Sequence, residues 1–497
     1  MIALDGSLSV EEVVAVARDG ERVELTADAR ERMVDSHTVV AEIVEADEES
    51  VYGVNTGFGN LKDVSIARPY LERLQLNLLR SHHAAVGDPV PTPVVRAAML
   101  CRANALAVGV SGVRPKLVKR LCDLLNADVH PVIPGGGSAD NACELANVGL
   151  VLTGEGTVIA DGERVNGDVA LERAGIDPLT FGPKEGIALI SGTPIPTAQT
   201  ALAVDRLERL VTATDVAGAW TYTLVGEEPS AFDERVFDVR SVKGHATSAA
   251  NVRRLADVTQ SNRADMTQDP LSIRCLPQVN GSVRTFLDTA RDLIETELAS
   301  ATDNPLIFPD GTARSCGTFN AQHLATAIDA LRLATIKLGH ASERRSNHLL
   351  STTEAGLTSH LATDPGLESG LGRVHYVAAS LMTEAEATGA ASHLNYTAST
   401  GQEDLHAAGN VAGRNLLEVI EKIQRVVAIE LLCCGRATQL GERSLPDPLD
   451  VVFEILDEPV ALPTGDVAWV DRIKATTLLF QEGSLRTAIE RTGVPIE

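Results

Sequence analysis

The chain has 497 residues and a formal net charge of −25, with 43 basic against 68 acidic residues. That balance excludes a nucleic-acid binder, which needs a basic surface to neutralise phosphate. Hydrophobic residues make up 44% and aromatic residues 3%, which excludes disorder and calls for a large core of Ala, Val, Leu and Ile.

In chain order, the first 26 residues carry no basic region followed by an apolar one. No secretory signal is therefore expected. No apolar run is read as long enough to span a membrane. Up to residue 194 the pattern is one of shorter helices separated by Gly- and Pro-rich loops at 52–60, 109–115, 131–141 and 191–196. Such loops need specific backbone geometry and often carry sites. From residue 195 long helical patterns take over. Val283, Leu287, Ala290, Ile294 and Leu298 recur at helical spacing, and so do Leu324, Ile328, Leu331 and Leu338. Asp303-Asn-Pro305 is expected to end the first of these helices by capping and a Pro stop. Between 416 and 432 the apolar face is broad enough for a helix buried on several sides. The expected fold is mainly α, with a loop-rich N-terminal domain (1–194) and a long-helix bundle (195–497).

The seven cysteines, 101, 122, 143, 275, 316, 433 and 434, form no CxxC pair. Free thiols in a reducing cytoplasm are expected rather than a disulfide framework. Cys433 and Cys434 lie in an apolar helical run and read as core. No spacing matches a metal-binding motif, so no metal is expected, although His82, His83, Asp140, Cys143 and Glu144 could form a site if their loops converged.

Four segments resemble the histidine and aromatic amino acid ammonia-lyase family: Tyr52-Gly-Val-Asn-Thr-Gly-Phe-Gly59, Thr267-Gln-Asp-Pro-Leu-Ser-Ile-Arg-Cys-Leu-Pro-Gln278, Asp303-Asn-Pro-Leu306 and Gln402-Glu-Asp404. Ser81-His82 and Ser342-Glu-Arg-Arg345 agree in the same order. The resemblance implies an ammonia-lyase-like fold, a homotetramer with active sites built from loops of more than one subunit, and a small amino acid as substrate. It implies Tyr52 as general base and Glu403 as the carboxylate near the substrate amine or imidazole. Arg274 would grip the substrate carboxylate through its bidentate fork, His82 would face an imidazole substrate, and Gln402 and Asp404 would support them. A phenol titrates near 10, so Tyr52 is expected to need positive charge or donors nearby.

The family's electrophile, 4-methylidene-imidazol-5-one (MIO), forms from an Ala-Ser-Gly tripeptide. Here the run from Pro134 to Gly154-Glu-Gly156 is shorter by the length of that tripeptide. Ser138, Ala139 and Asp140 stand in its place and lack the flexible Gly whose amide nitrogen would close the ring. The MIO group is therefore expected to be absent. Nearby departures are Ser191 in place of an Asn, Leu271 in place of a Tyr, and Thr318 and Asn320 in place of Asn and His. A helix starting near Asn141 would offer free N–H groups to an anion. Three readings stay open: a histidine-directed ammonia-lyase working without MIO, a silent member that binds a small molecule or pairs with an active paralogue, and an elimination with a better leaving group.

Of the basic residues, 8 are Lys and 35 are Arg. A GC-rich coding sequence accounts for this, and so does adaptation to high salt, where a carboxylate-rich surface stays hydrated and its self-repulsion is screened. On the second reading the thermal midpoint rises between about 0.1 M and about 2 M KCl. A midpoint that stays level or falls across that range leaves only coding bias.

Overall fold

A computed structural model describes residues 1–497 apart from 139, 140, 161, 227, 257, 259–266, 353–355, 442, 443 and 461–464. The chain is mainly helical, as expected, and forms two compact units. The first comprises Met1–Asp205, Ala290–Asp329 and Ala390–Arg414; the second comprises Arg206–Thr289, Ala330–Gly389 and Asn415–Glu497. The boundary expected at residue 194 is therefore not where the units divide. Packing, not chain order, defines them, and two later segments join the N-terminal one. The longest helices, Pro194–Val225, Leu276–Leu298, Gln322–Ser351 and Gly409–Leu440, have residue ranges shared between the two units.

In the first unit, helix Val10–Arg18 opens on a capping box in which the Ser9 hydroxyl accepts from the Glu12 N–H and the Glu12 carboxylate accepts from the Ser9 N–H. Helix Thr92–Ala107 is buried at every residue from Val94 to Ala107. A helix buried all round must satisfy its polar groups internally: the Asn104 amide donates to the Leu298 carbonyl at 2.6 Å and accepts from the Gly6 N–H at 3.2 Å. Strand Ile2–Leu4 runs parallel to Val23–Leu25, and His130–Pro131, Thr157–Ala160 and Glu163–Asn166 make a small antiparallel sheet. The segment 131–141 is not all loop. Pro134–Gly136 pairs antiparallel with Val86–Pro89, bringing Gly136 opposite Val86.

Asp303 does not cap a helix. Helix Leu276–Leu298 ends earlier, and Asp303 is fully buried. Its Oδ2 lies 2.7 Å from Lys184 Nζ, also fully buried, and its Oδ1 accepts from Ser111 Oγ at 2.8 Å. One apolar stretch also departs from expectation. Glu185–Val225 is long and apolar enough to cross a membrane by length and composition, but 89% of its most apolar window is buried inside the protein.

In the second unit, the broad apolar face is borne out: Ile420, Ile423, Val426, Val427, Ile429, Leu431, Leu432, Cys433 and Cys434 are all fully buried. Arg345 and Glu430, both inaccessible to solvent, form an ion pair to which Ser342 and Thr221 add hydroxyl donors at 2.6 and 3.0 Å. Glu343 accepts from His375 Nε2 at 2.6 Å and also pairs with Arg344. Burial would raise its carboxyl, but the hydrogen bonds and charges of His375 and Arg344 outweigh that and hold it down to about 2. A carboxyl depressed on folding adds stability that is present above its unfolded value, about 4.3, and lost as pH falls towards 2. Glu343→Gln is therefore expected to flatten the stability profile between about pH 4.5 and 2, measured by urea unfolding across that range. A profile as steep as that of the wild type would rule the pair out as its source.

Candidate active site

The first unit holds a cavity of about 540 Å³ with four walls. Tyr52, Phe58 and Gly59 form the first. Their loop is folded on itself by Asn55, whose side chain accepts from the Val51 N–H at 2.7 Å and donates to the Glu49 carbonyl at 2.9 Å. It is braced from behind by the buried Gln75, whose amide donates to the Gly53 carbonyl at 3.3 Å and accepts from the N–H groups of Gly186 and Ile187 at 2.9 and 3.2 Å. The Tyr52 hydroxyl accepts from the Gly59 N–H at 3.3 Å, and the Phe58 ring meets the Tyr52 ring edge-on.

The second wall is Asn141 and Ala142, where helix Ala142–Leu152 starts, with Ser191 and Gly192 at the end of helix Glu185–Ile190. Asn141 joins them: its side chain donates to the Gly192 carbonyl at 2.6 Å and accepts from the Ile195 N–H at 2.8 Å. The third wall is Gly317, Phe319, Asn320 and Ala321. The fourth runs from Ser399 through Gln402, Glu403, Asp404 and His406 to Asn410, and His82 closes the rim.

Tyr52, His82, Ser191, Gln402 and Glu403 thus share one cavity, as do Asp404 and Asn320. His82 ends helix Leu71–His82, and its Nδ1 lies 2.9 Å from the Leu78 carbonyl. A carbonyl only accepts, so Nδ1 carries the proton and the neutral ring keeps Nε2 as an acceptor. Arg274 does not line the cavity. It ends the short helix Leu271–Arg274 in the second unit, and its buried Nε has no hydrogen-bond partner among the described residues. Ser138 does not line it either: it is buried and donates to Glu144, which also accepts from Asn410 Nδ2 at 2.8 Å. Ala139 and Asp140 lie outside the described residues. Asn141, Asn410 and His406 were not singled out as site residues. Asn141 alone had a signal, its place at a helix start. Among the described residues, no three His, Cys, Asp or Glu side chains gather where a metal ion could be held.

The electrostatics run against the expectation for Tyr52. Burial is the main cause that pushes its phenol above the usual value; the Gly59 N–H partly offsets this, and the negative charge of Glu403 adds to it. No Lys or Arg is among the described residues that line the cavity. Positive charge for a phenolate must come from elsewhere.

The family model described as aromatic amino acid lyase matches residues 8–456. The chain belongs to that family. It is 38% identical to the histidine ammonia-lyase of Symbiobacterium thermophilum, over 100% of this chain and 99% of the relative. The solved histidine ammonia-lyase of Trypanosoma cruzi superposes with a TM-score of 0.92 at 32% identity, covering 99% of this chain and 95% of the other. An ergothioneine-degrading enzyme from Treponema denticola superposes at 0.90 with 26% identity, covering 97% and 99%. The expected ammonia-lyase-like fold is thereby borne out.

Gly59 is where the first and fourth walls touch. Its φ is +55°, and a Cβ there would stand 2.5 Å from Ser399 Oγ and 3.4 Å from Glu403 Oε1. Gly59→Ala is expected to cost about 1–2 kcal/mol through the left-handed backbone alone and to force the two walls apart. Urea unfolding reads the first effect. A variant as stable as the wild type would show that the turn relaxes.

Proposed function

We propose that this protein is a carbon–nitrogen lyase that eliminates ammonia from L-histidine or a related amino acid without an MIO group. The observation that carries the reading is the meeting of Tyr52, His82 and Glu403 in one cavity of an aromatic amino acid lyase-family fold. The names of the Symbiobacterium and Trypanosoma relatives support histidine as the substrate. Tyr52, as phenolate, takes the β-proton. The C–N bond breaks, ammonia leaves with the bonding electrons, and an α,β-unsaturated acid remains, urocanate in the case of histidine. Glu403 holds the ammonium before it leaves, and the Nε2 lone pair of His82 receives the substrate's imidazole N–H. Arg274 takes the substrate carboxylate in a homotetramer whose sites combine loops of several subunits, as the resemblance implies. The seven free thiols suit the cytoplasm.

The residues at the altered loop do not fit MIO. No glycine follows Ser138 to supply the attacking amide nitrogen, and the Ser138 hydroxyl is already committed to Glu144. No step is therefore routed through that group. A second reading follows from the same loop: elimination of a better leaving group, for which no electrophile is needed. The acidic lining from Glu403 and Asp404 suits a cationic leaving group, and the ergothioneine-degrading relative shares the fold.

The test uses purified protein in high salt, scored for a near-ultraviolet band beyond the protein's own and for urocanate formed from histidine. No such band together with urocanate formation is the expected result. Absence of both removes the ammonia-lyase reading and leaves the second, and a clear band overturns the MIO-free claim. Tyr52→Phe is expected to lower turnover by roughly 10²–10⁴-fold, the usual worth of a positioned base; unchanged turnover would remove Tyr52 from the chemistry.

A further inference from the structure

The Glu403 carboxylate makes no hydrogen bond or ion pair among the described residues, although it faces the cavity beside Gly59. Its place must therefore be set by the backbone that carries it. That backbone is pinned at several points. Glu403 and Ala398 form an antiparallel bridge, with the Ala398 N–H donating to the Glu403 carbonyl at 2.8 Å. Asn395 brackets the far side: its Nδ2 donates to the Asp404 carbonyl at 2.9 Å, and its Oδ1 accepts from the His406 N–H at 2.9 Å. The His406 ring lies flat on Tyr396, with centroids 3.8 Å apart and planes 9° from parallel. Its Nε2 is 3.3 Å from the Glu403 carbonyl, a group that only accepts, so Nε2 carries the proton.

We infer that the stacked pair of Tyr396 and His406 is a positioning device that sets the Glu403 carboxylate beside Tyr52. His406 grips the backbone of Glu403 through Nε2, and Tyr396 holds the imidazole in the one orientation that allows the grip. Stacked aromatic rings prefer particular mutual geometries, which favours one loop arrangement over its alternatives. A residue acting this way is not expected to touch substrate. It works by keeping a charge in place, and small misplacements of reacting groups cost rate steeply.

The inference rests on the reading of Tyr52 and Glu403 as the reacting pair, but its test needs no substrate. The Tyr52 phenol is pushed above its ordinary value by burial, and the Glu403 charge adds to that shift. Its midpoint, taken in the full-length protein from the near-ultraviolet difference between wild type and Tyr52→Phe, therefore reports where Glu403 sits. The titratable groups that share the cavity are His82, Glu403, Asp404 and His406. An ordinary imidazole carries no charge near pH 10, so exchanging a His for an Ala in that range removes a ring and not a charge.

His406→Ala is expected to lower the Tyr52 midpoint, in the same direction and to the same extent as Glu403→Gln. Tyr396→Phe, which keeps the stacked ring, should leave it at the wild-type value. Should His406→Ala fail to fold, Tyr396→Leu removes the stack from the other side and carries the same expectation. A midpoint unmoved by loss of the stack while Glu403→Gln lowers it overturns the inference, and so does one unmoved by Glu403→Gln. In parallel, kcat/KM for histidine should fall about tenfold or more in His406→Ala, mainly in kcat, and recover in Tyr396→Phe. If the wild type fails to turn over histidine, the proposed function fails while the titration still decides the positioning role.

Discussion

Lys184 enters helix Glu185–Ile190 with a left-handed backbone, φ +72°, and buries its ammonium against Asp303, with neither side chain reaching solvent. Three walls of the cavity depend on this pair. Just beyond Lys184, the N–H groups of Gly186 and Ile187 meet Gln75, which in turn holds Gly53 next to Tyr52. The same helix ends at Ser191 and Gly192 on the cavity wall. On the other side of the pair, the Asp303 carbonyl accepts from the Thr318 hydroxyl at 2.7 Å, which steers the turn carrying Gly317 and Phe319. Two charges removed from water cost several kcal/mol each, and their attraction repays this only with good geometry and extra donors. Ser111 supplies one such donor. The pair is therefore best understood as fixing one arrangement of three chain segments rather than as a large source of stability. Burial depresses the Lys184 ammonium even though Asp303 opposes that effect, the sign expected where desolvation outweighs the partner.

A second buried cation lies against Gly192, a residue of the second wall. Arg102 is fully buried; it reaches the Ala188 carbonyl, while its Nε and Nη1 have no hydrogen-bond partner among the described residues. A Cβ on Gly192 would stand 2.5 Å from Nη1, so only glycine permits the approach. Burial lowers the guanidinium to about 10, with the charge of Asp303 opposing the shift, which leaves it cationic at neutral pH. Positive charge thus stands against Gly192, a lining residue, while the lining itself carries the carboxylates of Glu403 and Asp404, and a nearby buried cation raises the local potential.

Tyr52, His82 and Glu403 sit in motifs that resemble those of the ammonia-lyase family, and that resemblance is what makes their meeting legible in the sequence. Asp303 was misread because an Asp before Asn-Pro has a local explanation, capping, that needs no partner 119 residues away. Asn141 and Asn410 act by joining segments far apart in the chain, which a helix-start position or an isolated Asn does not reveal, and His406 acts within its own loop, where an isolated His carries no spacing signal. The strand pairing of Pro134–Gly136 was hidden because Gly-rich sequence reads as loop, while its partner Val86–Pro89 has no alternating pattern. The division into units is not legible in chain order because segments 290–329 and 390–414 pack with the N-terminal one.

The described residues on either side of 139–140 are firmly held. Pro134–Gly136 is held in a ladder, Ser138 and Asn410 both donate to the buried Glu144, and Asn141 joins the helix start to the Ser191–Gly192 turn. An unpaired buried charge is costly, so the two donors hold Glu144 in place whatever chemistry the cavity performs, and Asn141, tied on both sides of its amide, fixes the wall that carries Ala142, Ser191 and Gly192.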